Sequence, residues 1–443
     1  MKYRKRIVAA AIAVGALSLG ACSSGSGSTT TPASASSGAG QYAGQTLKVM
    51  DYEGADSAMG IAWAKAIQIF EAQTGAKVDH QSTSFETLNA SASQLFDSSD
   101  APDVSEYNKG NGTAGQLAAT GIIQNLDDAY AKYGWADKLG AGISTIAKYD
   151  ANGVMGSGSY YGVPNYGEFV FLYFNQDMFT KYNVKVPTTE AELETAMQTF
   201  KDNGVTPMTT SAQEYPMGQL WYQLALSKAN RQWVNDYQLY QHPIDWNGPE
   251  ITYATTTLKS WLDKGYISKD VSGMKAEDAG LQFINGQVPM FYSGSWWYGR
   301  MLTDVKTFKV GITNWPGTTL TPGSGGNIWV IPAKSKQPEL AKIFINITMS
   351  PEVQALLGES GGLPVAANTA DVKDPNAQAL IKLFNEVNAR DGLSFYPDWP
   401  TPTFYGDLNG VMQGLVNGTY SPEQAQAELK NYYETYVSTV TKK

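Results

Sequence analysis

The pattern of apolar and polar residues beyond position 45 switches repeatedly between strand and helix periods. Residues 46–51 alternate like a strand, and residues 58–74 carry apolar side chains at helical spacing before Gly75. A second strand pattern, a helix, a strand and another helix follow at 76–80, 84–96, 102–107 and 113–120. This β-α-β-α-β-α order predicts a parallel sheet with crossover helices.

The rest of the chain continues to mix strands and helices. A continuous apolar run at 168–175 indicates a buried strand, and further strands are expected at 288–292 and 327–331. A helix is expected to start after Thr189 and to end near Asn203. Apolar spacing predicts the other helices at 217–229, 255–264, 276–285, 338–349, 351–358, 377–389, 403–416 and 422–436.

Length and composition indicate a globular chain with an acidic body. Its 443 residues are enough for two or three domains, with 42% hydrophobic, 16% charged and 12% aromatic residues. The formal net charge is −9, and four basic residues lie in the first six positions. Without them, 28 basic residues face 41 acidic ones, which leaves −13. Such a charge disfavours nucleic acid and anionic lipid as ligands of the folded body.

The N-terminus has the three parts of a secretory signal. A basic start is followed by an apolar stretch and by the sequence Leu-Gly-Ala-Cys, which resembles a bacterial lipoprotein box with cleavage after residue 21. Cys22, the sole cysteine of the chain, would then carry the lipid; the alternative is an ordinary signal peptide with an incidental cysteine. Residues 22–44 are rich in Ser, Thr, Gly and Ala, which predicts a flexible linker. The expected location is the extracytoplasmic face of the cell membrane, anchored by lipid alone.

Motifs typical of enzymes are present but lack their usual surroundings. The sequence at 110–115 matches G-x-G-x-x-G, yet a dinucleotide site requires the motif after the first strand and an acidic residue at the end of the next strand. The sequence at 358–362 matches G-x-S-x-G but follows a predicted helix, whereas a nucleophile elbow follows a strand. His80 and His242 are the only histidines, so a triad or a histidine zinc site would depend on them. We therefore expect no cofactor, no metal and no catalysis.

Aromatic, amide and acidic residues are concentrated where predicted elements end. Sugars stack their apolar faces on aromatic rings and pair their hydroxyls with amides and carboxylates, so a sugar groove needs both types on loops. Here they occur together at 51–53, 108–111, 164–166, 213–215, 293–298 and 397–399. In a doubly wound sheet ligands bind at the carboxyl ends of strands, where several of these segments lie. The pattern predicts a polar cleft lined with aromatic rings.

In the order and spacing of its motifs, the chain from residue 46 to 443 resembles the maltose-binding-like solute-binding proteins of ABC sugar importers. The likeness rests on the segments 19–22, 102–104, 117–127, 161–164, 171–177, 283–286, 290, 294–296, 326–332, 341–344 and 350–352.

The resemblance implies an α/β fold of two lobes, each a doubly wound and mostly parallel sheet, joined by a hinge that the chain crosses more than once. Lobe 1 would comprise 46–166 plus 328–363, and lobe 2 would comprise 167–327 plus 364–443. It also implies binding roles: hydrogen bonding from lobe 1 for Glu53, Asn108 and Asn111, a hinge position for Glu168, and lobe 2 contacts for Tyr215, Trp296 or Trp297, and Phe404 or Tyr405. The full set of expected ligand-binding residues adds Tyr52, Asn165, Tyr166, Asn327 and Trp399.

The predicted function is capture of an oligosaccharide between the closing lobes and delivery to the permease subunits of an ABC transporter. The expected protein is a monomer that contacts the membrane only through the Cys22 lipid. Two alternatives remain open. A surface glycoside hydrolase could use the same cleft and would need two carboxyls about 5 to 9.5 Å apart. A receptor of the same fold could instead bind a peptide or another polar solute.

Overall fold

The computed structural model of the protein describes residues 40–139, 141–366 and 371–441. The predicted signal peptide at 1–21, Cys22 and most of the predicted linker at 22–44 lie outside the described residues. The described residues form one compact unit. Among the described residues, no helix combines the length and the apolar composition needed to cross a membrane.

The strands form two main sheets and one small hairpin. They are β1 (Thr46–Asp51), β2 (Lys77–Ser82), β3 (Val104–Tyr107), β4 (Lys148–Tyr149), β5 (Ser159–Tyr160), β6 (Val163–Pro164), β7 (Tyr166–Asn175), β8 (Met208–Thr209), β9 (Met290–Gly294), β10 (Val310–Thr313), β11 (Gly323–Gly325), β12 (Ile328–Val330) and β13 (Leu363–Pro364). The first sheet has the order β2-β1-β3-β12-β6. The second has the order β10-β7-β9-β8, with β11 and β13 also paired to β7.

Both sheets mix parallel and antiparallel pairs. The predicted parallel arrangement is present in β2-β1-β3, and β8 also runs parallel to β9. Fewer pairs are parallel than the sequence predicted, because β12 returns antiparallel to β3 and every described partner of β7 is antiparallel to it. The chain passes between the sheets from β6 to β7, from β11 to β12, and from the helix that ends at Glu359 to β13.

Helices surround both sheets. They are α1 (Ala58–Thr74), α2 (Phe85–Phe96), α3 (Gln116–Ala119), α4 (Asp127–Tyr133), α5 (Trp135–Lys138), α6 (Ala141–Ser144), α7 (Gln176–Lys181), α8 (Glu190–Asp202), α9 (Pro216–Leu226), α10 (Arg231–Leu239), α11 (Pro249–Lys264), α12 (Ala276–Ile284), α13 (Tyr298–Asp304), α14 (Pro338–Thr348), α15 (Pro351–Glu359), α16 (Pro375–Asn388), α17 (Phe404–Asn417) and α18 (Pro422–Val440). Helix α1 packs on α14 and α15 beside the first sheet, and α9, α11, α17 and α18 pack together beside the second.

Strand β7 explains how the second sheet is buried on both faces. All ten of its residues are buried, and its side chains alternate between two apolar cores as the strand period requires. Phe169, Phe171 and Tyr173 pack with α12, α13 and α16, whereas Val170 and Leu172 face the core shared with α9 and α11. A strand covered on both sides reads as a continuous apolar run, which is the pattern that predicted it.

Candidate functional site

A cleft of about 740 Å³, its open mouth included, lies where the two sheets meet. The residues from the first sheet follow the carboxyl ends of β1 and β3, as expected for an α/β sheet. The lining residues are Tyr52, Glu53, Phe85, Asn108, Lys109, Tyr166, Glu168, Tyr215, Gln219, Trp296, Asn327, Tyr396, Asp398, Trp399 and Tyr405.

A buried lysine lies at the base of the cleft. The Lys109 ammonium is ion-paired with the Glu168 carboxylate of β7 and donates a 2.9 Å hydrogen bond to Asn327 Oδ1. It also lies 5.3 and 5.4 Å from the ring centroids of Tyr396 and Trp399, within cation–π distance. Lys109 follows β3 in the first sheet, so its ammonium connects that sheet to side chains attached to the second.

The hydrogen bonds continue from Asn327 away from the cleft. Asn327 Nδ2 donates to the Tyr166 hydroxyl at 2.8 Å, and that hydroxyl donates to Glu106 Oε1 at 3.1 Å. The Trp63 indole N–H donates to the other Glu106 oxygen at 3.3 Å. All of these side chains are buried. We call the connected set the floor network; its members are Trp63, Glu106, Tyr166, Asn327, Lys109 and Glu168.

A second carboxyl, Glu53, lies in a strongly acidic environment. Burial, followed by the charges of Asp51 and Glu168, raises the pKa of Glu53 to about 8. Burial and the charges of Glu53 and Asp51 also raise the pKa of Glu106. The Asp51 carboxylate is 2.8 Å from His80 Nε2. The Glu53 carboxyl therefore holds its proton more tightly than an ordinary glutamic acid.

The upper surfaces of the cleft are mainly aromatic, and we call them the walls. On one side Trp296 packs edge-on against Tyr215 at 5.7 Å and donates its indole N–H to the Tyr215 hydroxyl at 3.1 Å. On the other side the Phe85 ring contacts Tyr52 and Tyr405, with centroid distances of 5.3 and 6.1 Å. These rings provide apolar surfaces on which a flat ligand can stack.

Several polar atoms of the walls lack a partner. The hydroxyls of Tyr52 and Tyr405 and the side-chain oxygen of Gln219 are shielded from solvent, yet no hydrogen-bonding group among the described residues reaches them. Buried polar atoms are normally paired, and leaving one unpaired costs roughly 1–3 kcal/mol. Together, these atoms are suited to a ligand that supplies several hydroxyl or amine groups.

The model of a known protein family, described as bacterial extracellular solute-binding protein, matches residues 65–385 of this chain. The chain belongs to this family. It is 28% identical over 223 residues to a probable sugar-binding periplasmic protein of Rhizobium meliloti (strain 1021), an alignment that covers 48% of each chain, so it spans about half the length of that relative. It is 24% identical over 372 residues to the diacetylchitobiose binding protein DasA of Streptomyces coelicolor, covering 81% of each chain.

Solved structures show the same fold. A chitin oligosaccharide binding protein superposes with a TM-score of 0.75 at 22% identity, covering 88% of this chain and 98% of the other. The predicted family and the two-lobe α/β fold of this solute-binding protein are thus confirmed. The family description also places it outside the cytoplasm.

Most of the expected ligand-binding residues lie together in the cleft. Ten of them line it, namely Tyr52, Glu53, Asn108, Tyr166, Glu168, Tyr215, Trp296, Asn327, Trp399 and Tyr405. They come from segments far apart in sequence that the strand ends bring together.

The other four expected residues are buried in structural roles outside the cleft. Asn111 bonds to the backbone of α10 and to the Met155 N–H, and Asn165 Nδ2 donates to Thr348. Trp297 packs edge-on against Phe291 in the second-sheet core. Phe404 lies in the core beside α18. In the pairs of alternatives, the structure therefore places Trp296 and Tyr405 in the cleft.

Five lining residues were absent from the expected set: Phe85, Lys109, Gln219, Tyr396 and Asp398. Lys109 and Asp398 lie inside the polar segments 108–111 and 397–399, so that signal already contained them. Gln219 lies in α9, whose residues are all buried, and Phe85 is the first residue of α2. For Gln219 and Phe85, the sequence shows only the residue type and a position in a helix, and neither indicates that the side chain lines the cleft.

The glycine-rich segment 110–115 brings two stretches of backbone into contact. The Gly112 N–H donates to the Trp399 carbonyl at 2.8 Å, and a Cβ on Gly112 would lie 2.2 Å from the Thr401 oxygen. Gly110 adopts a φ of 109°, which favours glycine. The close approach of Gly112 to Thr401 and the positive φ of Gly110 account for two glycines of the motif. The segment at 358–362 follows α15, as predicted.

Proposed function

We propose that this protein is the receptor of an ABC importer that captures an oligosaccharide between its two lobes and delivers it to a membrane permease without cleaving it. It acts as a monomer, held at the extracytoplasmic face by a lipid on Cys22. The observation that carries the proposal is the composition of the cleft. Eight aromatic rings line it together with amide and carboxyl side chains, and both sheets contribute to it.

The aromatic rings fit the apolar faces of a sugar ring, and the amide and carboxyl side chains fit its hydroxyl groups. Stacking of an aromatic ring is worth about 0.5–1.5 kcal/mol beyond area burial, so several rings and hydroxyl pairs are enough for micromolar affinity, about −8 kcal/mol. The unpaired atoms of Tyr52, Gln219 and Tyr405 provide positions for ligand hydroxyls. The names of the relatives, which refer to sugars and to diacetylchitobiose, support the same ligand class.

The chain crossings support a hinge between lobes at 46–166 plus 328–363 and at 167–327 plus 364–443. Ligand contacts from both lobes exist together only when the cleft is closed, so binding shifts the population toward that form. The permease then recognises the closed receptor.

The test is isothermal titration calorimetry of residues 23–443 with oligosaccharides of several linkages and with monosaccharides as controls. Micromolar binding to one linkage group supports the proposal. Absence of binding across the panel would move the assignment to a non-sugar polar solute. Thin-layer chromatography after prolonged incubation should show uncut oligosaccharide; cleavage would instead support a glycoside hydrolase.

Two adjacent tryptophans sharpen this test. Trp296 is partly exposed in the cleft, so Trp296→Ala should weaken binding at least tenfold and lower the free energy of unfolding less than Trp297→Ala does. Trp297 is 5% exposed in the core, so Trp297→Ala should lower the free energy of unfolding by about 3 kcal/mol. Urea unfolding and calorimetry of both variants separate the two effects. Equal loss of binding and stability in Trp296→Ala would contradict its role as a ligand platform.

A further inference from the structure

The cleft contains more carboxyl groups than its basic groups can neutralise. Glu53, Glu168 and Asp398 line it, and Lys109 is the single basic residue among the described lining residues. Lys109 is already ion-paired with Glu168 and bonded to Asn327. Within the described part of the chain, neither Glu53 nor Asp398 has a cation within ion-pair distance. Glu53 and Asp398 therefore have no ion-pair partner of their own among the described residues, although the Lys109 charge acts on Asp398 from a greater distance.

The acidic character extends around the cleft. The charge of Asp51 raises the pKa of Glu53, and the charge of Glu53 raises the pKa of Glu106. The charges of Glu86 and Glu214 likewise raise the pKa of the Tyr405 hydroxyl. Burial also raises the pKa of Asp398 to about 6. A cationic ligand would relieve this repulsion, whereas a neutral ligand would leave it unchanged.

Two further observations fit a ligand that donates hydrogen bonds and carries a positive charge. Gln219 is 5% exposed, and its unpaired amide oxygen can only accept a hydrogen bond. The cleft also holds a cation over aromatic rings already, because the Lys109 ammonium lies between Tyr396 and Trp399. Trp296, Tyr215 and Tyr405 present further aromatic surface in the same cavity.

We propose that the preferred ligand is a saccharide that carries a protonated amine, such as a glucosamine oligosaccharide, and that its ammonium pairs with the Glu53 and Asp398 carboxyls, Glu53 losing its proton as the ligand binds. This inference rests on the proposed sugar-receptor function. It specifies the ligand class: the amine form should bind more tightly than the N-acetylated or hydroxyl form of the same length and linkage.

The test compares three matched β-1,4-linked series of two to four units: glucosamine, N-acetylglucosamine and glucose. At pH 7 the glucosamine series should bind at least tenfold more tightly than the other two, and the difference should shrink at high salt. Titrations at pH 5.5, where the sugar amine is already protonated, in buffers of different ionisation enthalpy should show release of on the order of one proton, because the ammonium favours ionised Glu53.

The outcomes separate this inference from the function on which it rests. If a neutral series binds as tightly as the amine series, the amine inference is wrong and the sugar-receptor function stands. If no oligosaccharide of any linkage binds, both fail. Proton uptake in place of release at pH 5.5, where the amine is already protonated, would also overturn the amine inference.

Two substitutions test which carboxyls produce the preference for the amine-bearing sugar. Glu53→Gln and Asp398→Asn should each reduce the preference for the amine over the N-acetylated sugar by about tenfold, with Asp270→Asn, an exposed residue, as the control. Thermal melting checks that the variants fold. Equal weakening of both ligands would mean that the carboxyls only accept bonds from hydroxyls, which would overturn the assignment.

Discussion

The floor and the walls of the cleft are both polar, but they differ in how their polar groups are paired. In the floor network, the hydroxyl of Tyr166 accepts from Asn327 and donates to Glu106, and the Lys109 ammonium has an anion and an amide oxygen as partners. In the walls, Trp296 and Tyr215 are hydrogen-bonded to each other, but the hydroxyls of Tyr52 and Tyr405 are shielded and unpaired among the described residues.

This difference separates polar groups that stabilise the fold from polar groups that are available to bind a ligand. A paired buried network holds its members in one arrangement and is costly to interrupt. An unpaired buried atom costs roughly 1–3 kcal/mol, which a ligand can recover by supplying the missing partner. The floor should therefore govern stability and the walls should govern affinity.

The largest expected effect follows from breaking the floor at its cation. Lys109→Met keeps an unbranched side chain, one atom shorter, but leaves the Glu168 carboxylate buried without a counter-charge. We expect a loss of about 3 kcal/mol in the free energy of unfolding, measured with urea. Lys259→Met provides the control, because the Lys259–Asp263 pair is exposed and should contribute less than about 0.5 kcal/mol. A loss below about 1 kcal/mol for Lys109→Met would show that the ion pair is not structurally important.

Much of the fold was predictable because its signals are local. The period of β1 and α1 and the apolar run of β7 each report how that segment is buried. Helix α10 was not predicted, although Asn230 caps it by accepting from the Trp233 N–H and apolar residues recur at 233, 234 and 237. Its short length and polar sequence made that pattern weak.

The site was less predictable because it depends on which side chains of a segment lie toward the cleft and which lie toward the core. Trp296 and Trp297 are adjacent and chemically identical, yet one lines the cleft and the other fills the core. Sequence position alone does not decide between them. Lys109 illustrates the opposite problem, because its partners Glu168 and Asn327 are 59 and 218 residues away.

A smaller effect is expected where floor and wall meet, at Glu53. Its pKa is raised from 4.5 to about 8, so the folded protein binds more protons than the unfolded chain between these values. Stability should therefore fall as the pH rises from 5 to 8. Glu53→Gln should reduce this fall and make the variant about 1 to 2 kcal/mol more stable than the parent at pH 8, since solvent in the cleft limits the full effect.

Urea unfolding at pH 5, 6, 7 and 8 measures the slope for both proteins. Some slope should remain in the variant, because the pKa of Glu106 is raised as well. Glu192→Gln is the matched control: Glu192 is exposed and its pKa is lowered by hydrogen bonds from Thr188, so the slope above pH 5 should stay unchanged. Parallel pH profiles for Glu53→Gln and the parent would contradict the raised pKa.

The smallest change in stability is expected in the walls. Replacing a tyrosine by phenylalanine in the walls and in the floor compares the two regions directly. Tyr405→Phe removes a hydroxyl that has no partner among the described residues, so the free energy of unfolding should not fall and should rise by at most about 1 kcal/mol. Tyr166→Phe removes a hydroxyl that joins Asn327 to Glu106 and should cost about 1 to 3 kcal/mol. Oligosaccharide affinity should fall several-fold in Tyr405→Phe, because a ligand group then loses its partner. If both variants lose equal stability while Tyr405→Phe keeps full affinity, the wall hydroxyl is a structural group and the distinction between floor and walls is wrong.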